Sequence, residues 1–177
     1  MDNWSQRSFE LNRHGHIVVP AIGIGLSGKS EILLLQDAGF DITLFAKSCL
    51  ASDEYDAAHR LLRGRSYRIV LLPNREVMAG HEEDPTSRQI EQHAESLSYR
   101  KPLAGIASFV RRYISDKQME EMGFWHIDIL HEPLPDHKGG RSVLFSRRYS
   151  AGDVLDARVN TPERTWDRHG ASAFIEG

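Results

Sequence analysis

The stretch His16–Gly39, HIVVPAIGIGLSGKSEILLLQDAG, indicates how the first half of the chain folds. Its beginning, His16–Ile22, is apolar and β-branched, which favours a β-strand. A glycine-rich turn follows, and Lys29–Ala38 has the pattern of a buried helix. Gly39 then stands at the position where a residue in the left-handed conformation commonly ends a helix. The stretch therefore predicts a strand, a glycine turn and a helix.

Strand and helix patterns continue to alternate up to residue 73. A second strand is predicted over Asp41–Ala46, and a third over Tyr67–Pro73. Between them, Ser52 is a suitable N-cap for a helix that ends before Gly64. The resulting order, β-α-β-α-β, is typical of a sheet with crossover helices.

The middle of the chain is predicted to contain a loop and two further helices. The polar, turn-rich segment Asn74–Pro85 predicts a mobile loop. Two capping boxes predict where helices begin: Thr86 with Gln89, and Ser115 with Gln118. The first of these helices is expected to run to about Ser96. The segment Lys101–Val110 is compatible with either a short strand or a loop that enters a helix.

After Gly123 the apolar period changes to two, which predicts three short strands. They are Phe124–Leu130, Arg141–Arg147 and Asp153–Val159. Turn-forming residues separate them, so we expect an antiparallel β-meander. The tail from about residue 160 has only two large apolar anchors, Trp166 and Phe174, and is expected to be loosely held. The whole chain, 1–177, is thus predicted to be one globular α/β or α+β domain, with a βαβαβ N-terminal half and helices on a mixed sheet.

Composition limits the classes of function. The chain has 177 residues, 40% of them hydrophobic, and a formal net charge of -3. It therefore lacks the basic field expected of a nucleic-acid-binding protein. The single cysteine, Cys49, cannot form an internal disulfide and is interpreted as a small buried or half-buried thiol at the end of a strand. With no signal-peptide pattern and no apolar run of membrane-spanning length, we expect a soluble, cytoplasmic protein.

The glycine turn also matches two phosphate-binding patterns. Gly23, Gly28, Lys29 and Ser30 form a complete phosphate-loop pattern, in which backbone amides cradle phosphate and the serine binds magnesium. Gly23, Gly25 and Gly28 match the dinucleotide fingerprint. Either pattern predicts a nucleotide or phosphate at the N-terminus of the following helix, with a magnesium nucleotide as ligand in the first case.

A structural interpretation explains the same residues. Glycines allow a tight turn, and Ser27 can cap the helix. Pro20 lies within the preceding strand, where a central parallel strand would need its N–H. The second and third apolar strands also lack the acidic residue that organises magnesium in phosphate-loop enzymes. We therefore interpret the glycines primarily as a turn and keep nucleotide binding as the alternative.

The segment Ile17–Ser48 resembles the opening βαβ unit of flavin-dependent oxidoreductases of the amine-oxidase and monooxygenase type. The three glycines, the helix, the AGF turn and the strand DITLF fall in step with that family. The resemblance implies a dinucleotide-binding βαβ unit. However, Ala46 stands where the family has the acidic residue that holds the ribose. We interpret the resemblance as shared βαβ geometry and predict no cofactor from it.

Histidines and arginines suggest two further kinds of site. His126 and Asp128 would point to one face of a strand and, with His169, could imitate the two-histidine, one-carboxylate site of iron oxygenases. A solvated strand face explains them equally simply, and no metal is predicted. An anion or a nucleic-acid backbone could bind if the paired arginines met on one surface: Arg111, Arg112, Arg147 and Arg148.

These observations leave enzymatic activity open. Because no convergent acid, base, nucleophile or metal set stands out, the first hypothesis is a non-enzymatic binding or regulatory protein that acts through a protein surface. The second is a nucleotide-binding enzyme or switch that uses the glycine loop. The third is an oxygenase-like metal site on His126 and Asp128. A protein partner is expected, a nucleic-acid or membrane partner is not, and the sequence does not define an oligomeric state.

Overall fold

A mixed β-sheet of ten strands forms the centre of the protein, as seen in a computed structural model that describes residues 9–148 and 154–177. The strands are β1 (Glu10–Leu11), β2 (Ile17–Ile22), β3 (Asp41–Ile42), β4 (Ser66–Pro73), β5 (Tyr99–Arg100), β6 (His126–Asp128), β7 (Leu134–Pro135), β8 (Arg141–Arg147), β9 (Val154–Val159) and β10 (Ala171–Glu176). They lie in the order β1-β2-β4-β10-β6-β8-β9-β3, while β5 pairs with β10 and β7 with β8.

Helices cover both faces of this sheet. Within the described residues they are α1 (Gly28–Asp37), α2 (Leu44–Leu50), α3 (Asn74–Val77), α4 (Ser87–Ser96), α5 (Gly105–Tyr113) and α6 (Asp116–Glu121), with a short π-helical segment at Tyr55–His59. Buried side chains of α1, α2, α5 and α6 form the core on one face. On the other face, α4 and the buried Trp166 form a second, smaller core. None of the helices in the described ranges is long and apolar enough to cross a membrane.

The predicted fold class is confirmed, because one domain combines helices with a mixed sheet. The order β2-α1-β3-α2-β4 also matches the predicted β-α-β-α-β pattern. The expected crossover arrangement is wrong, however. β2 pairs directly and antiparallel with β4, and β3 pairs in parallel with β9 at the far edge of the sheet. The two helices therefore do not connect neighbouring parallel strands.

Pro20 fits this antiparallel arrangement. Gly23 donates its N–H to the carbonyl of Arg65 in the continuation of β4. Since N–H directions alternate along a strand, the backbone nitrogen of Pro20 points away from β4, toward the β1 side of β2. Among the described residues, β1 pairs with β2 only at Ile17 and Val18. Among the residues that the structure describes, the missing N–H of Pro20 consequently leaves no ladder bond unmade.

Three predictions in the first half need correction. Only Asp41–Ile42 of the predicted strand Asp41–Ala46 is extended, because Thr43 caps α2 by accepting the N–H of Ala46. Cys49 is accordingly buried in a helix rather than at a strand end. The helix capped by Ser52 ends at His59, since Arg60 is already extended with ψ 141°.

The capping boxes are confirmed at the starts of α4 and α6, and the ambiguous segment Lys101–Val110 enters α5. The segment Asn74–Pro85, predicted as a mobile loop, begins with a helix, because the buried Asn74 is the first residue of α3. The part of this segment without helix or strand begins at residue 78.

The C-terminal half contains the predicted meander, with β8 antiparallel to both β6 and β9. The prediction of a loosely anchored tail is wrong. β10 lies between β4 and β6 in the middle of the sheet, and Ala171–Ile175 are buried. The strand was missed because a strand buried on both faces lacks the alternation of apolar and polar residues that marks a half-exposed strand. β10 is also rich in small residues, which give a weak apolar signal.

Candidate active site

A histidine–carboxylate pair lies on β6. Because alternate residues of a strand share a face, His126 and Asp128 lie side by side, with Nδ1 of the imidazole 2.8 Å from Oδ1 of the carboxylate. The carboxylate is fully buried, whereas 14% of the histidine side chain is exposed. A buried carboxylate of this kind can fix the orientation and tautomer of the imidazole.

Two further side chains extend this pair into a buried polar network. The amide Nδ2 of Asn74 donates to Oδ2 of Asp128 over 3.2 Å. The hydroxyl of Ser172 donates in turn to Oδ1 of Asn74 over 2.8 Å. Asn74 follows β4, and Ser172 is the second residue of β10, so three adjacent strands contribute to one network. The network gives both oxygens of the Asp128 carboxylate a partner, as a buried charge requires.

The imidazole ring of His126 is also held sterically. A Cβ atom at Gly170 would lie 2.1 Å from Cε1 of the ring, so the glycine permits the ring to pack directly on the backbone. Among the described residues, Nε2 of His126 has no hydrogen-bond partner. With Nδ1 bound to Asp128, this second nitrogen is the one able to exchange a proton with a ligand.

Burial by itself would lower the pKa of His126, but the charge and hydrogen bond of Asp128 and the charge of Asp167 outweigh it and raise this pKa above its ordinary value. His131 provides a contrast within the same protein. Among the described residues, its ring hydrogen-bonds only to the backbone of Glu132 and Leu144, and burial lowers its pKa to about 3. The adjacent carboxylates of Asp128 and Asp167 therefore raise the pKa of His126, whereas burial lowers the pKa of the core residue His131.

His126 opens into a pocket of about 240 Å³. Its other lining residues are mainly aromatic and basic: Trp125, Phe145, Trp166, Arg147, Arg148 and Arg158, together with Asp128 and Asp167. Arg148 stacks over Trp125 at 4.5 Å, and Arg158 over Phe145 at 5.0 Å from the ring centroid. Such stacking holds a guanidinium in place without neutralising its charge.

The three arginines differ in their ion pairs. Arg147 lies 3.2 Å from Asp156, and Arg148 lies 3.4 Å from Glu120. Arg158 forms no ion pair with the residues that the structure describes. Its positive charge is thus available to a ligand beside the imidazole of His126.

The structure brings together only part of the predicted sites. Of the four arginines considered as an anion site, Arg147 and Arg148 line this pocket. Arg111 is buried against Asp116, and Arg112 lies 3.7 Å from the buried Glu31. The predicted anion site is therefore not assembled from all four.

The metal hypothesis gains no support from the geometry. His169 is exposed and does not line the pocket beside His126 and Asp128. Across residues 9–148 and 154–177, no group of three or more histidine, cysteine, aspartate or glutamate side chains is arranged to hold a metal ion. The predicted pair forms a hydrogen-bonded dyad instead.

The glycine loop is packed against neighbouring backbone. A Cβ atom added at Gly23 would lie 2.2 Å from the carbonyl oxygen of Leu62. One added at Gly25 would lie 2.9 Å from Cβ of Arg63. Gly28 likewise approaches the carbonyl oxygen of Leu50. These glycines thus permit close approach of chain segments as well as a turn.

The N-terminus of α1 already has protein partners. The N–H of Gly28 donates to Oδ1 of Asp56 over 2.8 Å, while Ser27 caps the helix by accepting the N–H of Ser30. Lys29 is exposed. An internal carboxylate therefore holds the amide that a phosphate would use, and nucleotide binding at this loop stays a prediction that the geometry does not favour.

Comparisons with protein-family models, curated proteins and solved structures found no match to this chain. The arrangement of side chains is consequently the basis for assigning a function. Sequence reasoning identified His126 and Asp128 but missed Asn74, Ser172 and Arg158. The available signal was Asn74 itself, a polar residue that directly follows the apolar strand β4. Ser172 was missed because it lies in a tail that was not recognised as a strand.

Proposed function

We propose that this protein is an enzyme that transfers a proton to or from a small anionic substrate, with His126 as the general acid or base. The observation that carries the proposal is the buried network from Ser172 through Asn74 and Asp128 to His126. It ends at a pocket that also contains Arg158, whose guanidinium has no ion pair within residues 9–148 and 154–177. The buried His16 has partners for both ring nitrogens, in Tyr99 and Glu76, whereas Nε2 of His126 has none among the described residues.

The dyad has the features required for proton transfer. Asp128 accepts the Nδ1 proton of His126, which leaves Nε2 as the basic nitrogen of the neutral ring. When Nε2 takes a proton from water or from a substrate hydroxyl, the carboxylate stabilises the resulting imidazolium. The charge and hydrogen bond of Asp128 raise the pKa of His126 above its ordinary value, which makes Nε2 a stronger base.

The pocket favours a substrate that is small and negatively charged. Arg158 supplies a positive charge, and its aromatic neighbours hold it in place. The volume of about 240 Å³ lies below the roughly 300 Å³ at which pockets for drug-sized ligands begin. A phosphate or carboxylate group beside the imidazole would satisfy both size and charge.

Replacing His126 by asparagine is expected to slow the turnover of two small anionic esters, p-nitrophenyl phosphate and the mono-p-nitrophenyl ester of succinate. At least one should be hydrolysed by the wild-type protein, and His126→Asn should lower that rate by about 10²-fold or more, because general acid–base catalysis contributes this much. Release of p-nitrophenol measures the rate, and Asp128→Asn should lower it as well.

The exposed His169 offers a matched control, since His169→Asn removes an imidazole outside the pocket lining and should leave the rate unchanged. Circular dichroism checks that each variant is folded. Equal rates for the wild-type protein and His126→Asn, or no hydrolysis of either ester above the buffer rate, would contradict the proposal.

Two sequence-based predictions are independent of this proposal: a protein partner and a cytoplasmic location. A protein partner remains a prediction. A cytoplasmic location is supported by Cys49, which is the single cysteine, is buried, and has its thiol pKa raised to about 12 by burial. Such a thiol is inert and requires no oxidising compartment.

A further inference from the structure

A second concave surface lies at the other end of β4 and β10 from the candidate active site. It is a groove of about 660 Å³ between the π-helical segment, the strand ends Ser66–Arg68 and Ile175–Glu176, and the segment Arg100–Leu103. Five basic side chains line this basic groove: Arg60, Arg65, Arg68, Arg100 and Lys101. Its acidic lining residues are Asp56 and Glu176.

Part of this positive charge has no internal counterion. Arg68 is bound by Glu10 and Glu176, and Lys101 by Glu91 and Glu132. Within the described part of the chain, the other three arginines form no ion pair. They are Arg60, Arg65 and Arg100. An uncompensated cluster of this kind stands out in a chain whose net charge is -3.

The acidic groups of the groove are already engaged. The carboxylate of Asp56 accepts the N–H of Gly28, and that of Glu176 accepts from Arg68 over 2.5 Å. Arg65 lies over the ring of Tyr67 at 5.6 Å, and Arg100 donates to the backbone carbonyl of Glu176 over 3.4 Å. The remaining guanidinium donors are therefore the principal binding groups for a ligand in the groove.

Apolar side chains complete the wall. Leu62, Leu103 and Ile175 line the groove beside the arginines. Its volume lies within the usual range for small-molecule sites. A ligand that fits must accordingly carry several negative charges close together and can also present an apolar ring. Guanidinium groups recognise phosphate oxygens by two parallel hydrogen bonds, which favours a chain of phosphates over isolated carboxylates.

We propose that the basic groove binds a polyphosphate chain, either as inorganic polyphosphate or as part of a nucleoside triphosphate. Arg60, Arg65 and Arg100 would bind the phosphates, and the apolar wall would contact a nucleoside when one is attached. The site is separate from the His126 pocket. It also differs from the phosphate-loop hypothesis, because the ligand lies outside the helix N-terminus that Asp56 occupies and needs no magnesium.

Isothermal titration calorimetry tests this proposal with inorganic tripolyphosphate and with ATP, both in EDTA at low ionic strength. The wild-type protein should bind tripolyphosphate, and the double variant Arg60→Gln/Arg65→Gln should bind it at least about tenfold more weakly, since each lost charged hydrogen bond costs this order of affinity. The double variant Arg88→Gln/Lys117→Gln is the matched control, because both side chains are exposed outside the groove.

The outcomes separate the possible sites and ligands. Equal affinity for tripolyphosphate and ATP supports the phosphate chain as the ligand, and tighter binding of ATP supports an added contact with the apolar wall. The proposal is overturned if neither ligand binds, or if a single-stranded oligonucleotide is the only polyanion that binds. It is also overturned if Lys29→Ala or Arg158→Gln abolishes binding while the groove variant retains it.

Discussion

Replacing Trp166 by alanine is expected to lower the free energy of unfolding by about 3–5 kcal/mol, the usual cost of truncating a fully buried aromatic side chain. The indole is 1% exposed, and its Nε1 donates to the hydroxyl of Ser87 over 2.7 Å. Its ring also packs edge-on against Phe145. For a chain of this size the loss corresponds to about 6–20 °C in Tm, and urea denaturation with a thermal scan measures both quantities.

Trp125 provides the matched control, because its side chain is 59% exposed. Trp125→Ala removes mainly the stacking with Arg148 and should cost about 1 kcal/mol or less. A similar small loss for Trp166→Ala would contradict the structure and would restore the expectation that the chain after residue 160 is loosely anchored.

Replacing Gly28 by alanine is expected to destabilise the protein by at least about 3 kcal/mol, at the upper end of the usual cost of overpacking. A Cβ atom at this position would lie 1.6 Å from the carbonyl oxygen of Leu50 and 2.9 Å from Cδ1 of Tyr55. Backbone of α2 must therefore move away from α1. Helix propensity acts in the opposite direction by about 1 kcal/mol, so a net loss identifies the steric conflict.

Gly39 is the control for this second substitution. It has φ +84°, and no atom of the described residues lies within 4 Å of the position that an added methyl group would take, so Gly39→Ala probes backbone conformation. Its expected cost is about 1–2 kcal/mol. Chemical denaturation compares the two variants, and a smaller loss for Gly28→Ala than for Gly39→Ala would refute close packing as the reason for the glycine at the start of α1.

Local signals in the sequence predicted the elements well where one short segment determines them. The apolar run of β2 and the capping boxes before α4 and α6 are of this kind. The segment Asp41–Ala46 failed, because a short apolar run is compatible with strand and helix alike. There the hydrogen bond from Ala46 to the Thr43 side chain favours the helix.

Long-range pairing could not be predicted in the same way. β10 pairs with β4, where Ala171 faces Pro73 across 98 positions of sequence, and its own residues carry little alternation. The antiparallel contact of β2 with β4 likewise depends on where the intervening helices pack. Periodicity indicates which residues can form a strand, but the neighbour of that strand is determined by the packing of the whole sheet.

The candidate site shows the same division. The shared face of His126 and Asp128 follows from the alternation of a strand and was predicted. Asn74, Ser172 and Arg158 join them only because β4, β10 and β9 meet β6 and β8 in the folded sheet. Their roles therefore depend on strand order, which the sequence patterns did not provide.

The most direct test of the proposed acid–base site is the pH titration of the His126 ring by NMR, in the wild-type protein and in Asp128→Asn. We expect the wild-type pKa to lie above the ordinary value of 6.5, and the pKa of the variant to fall below 6.5 because burial then dominates. A wild-type pKa at or below 6.5, or the same pKa in both proteins, would contradict the coupling of His126 to Asp128 on which the proposed function depends.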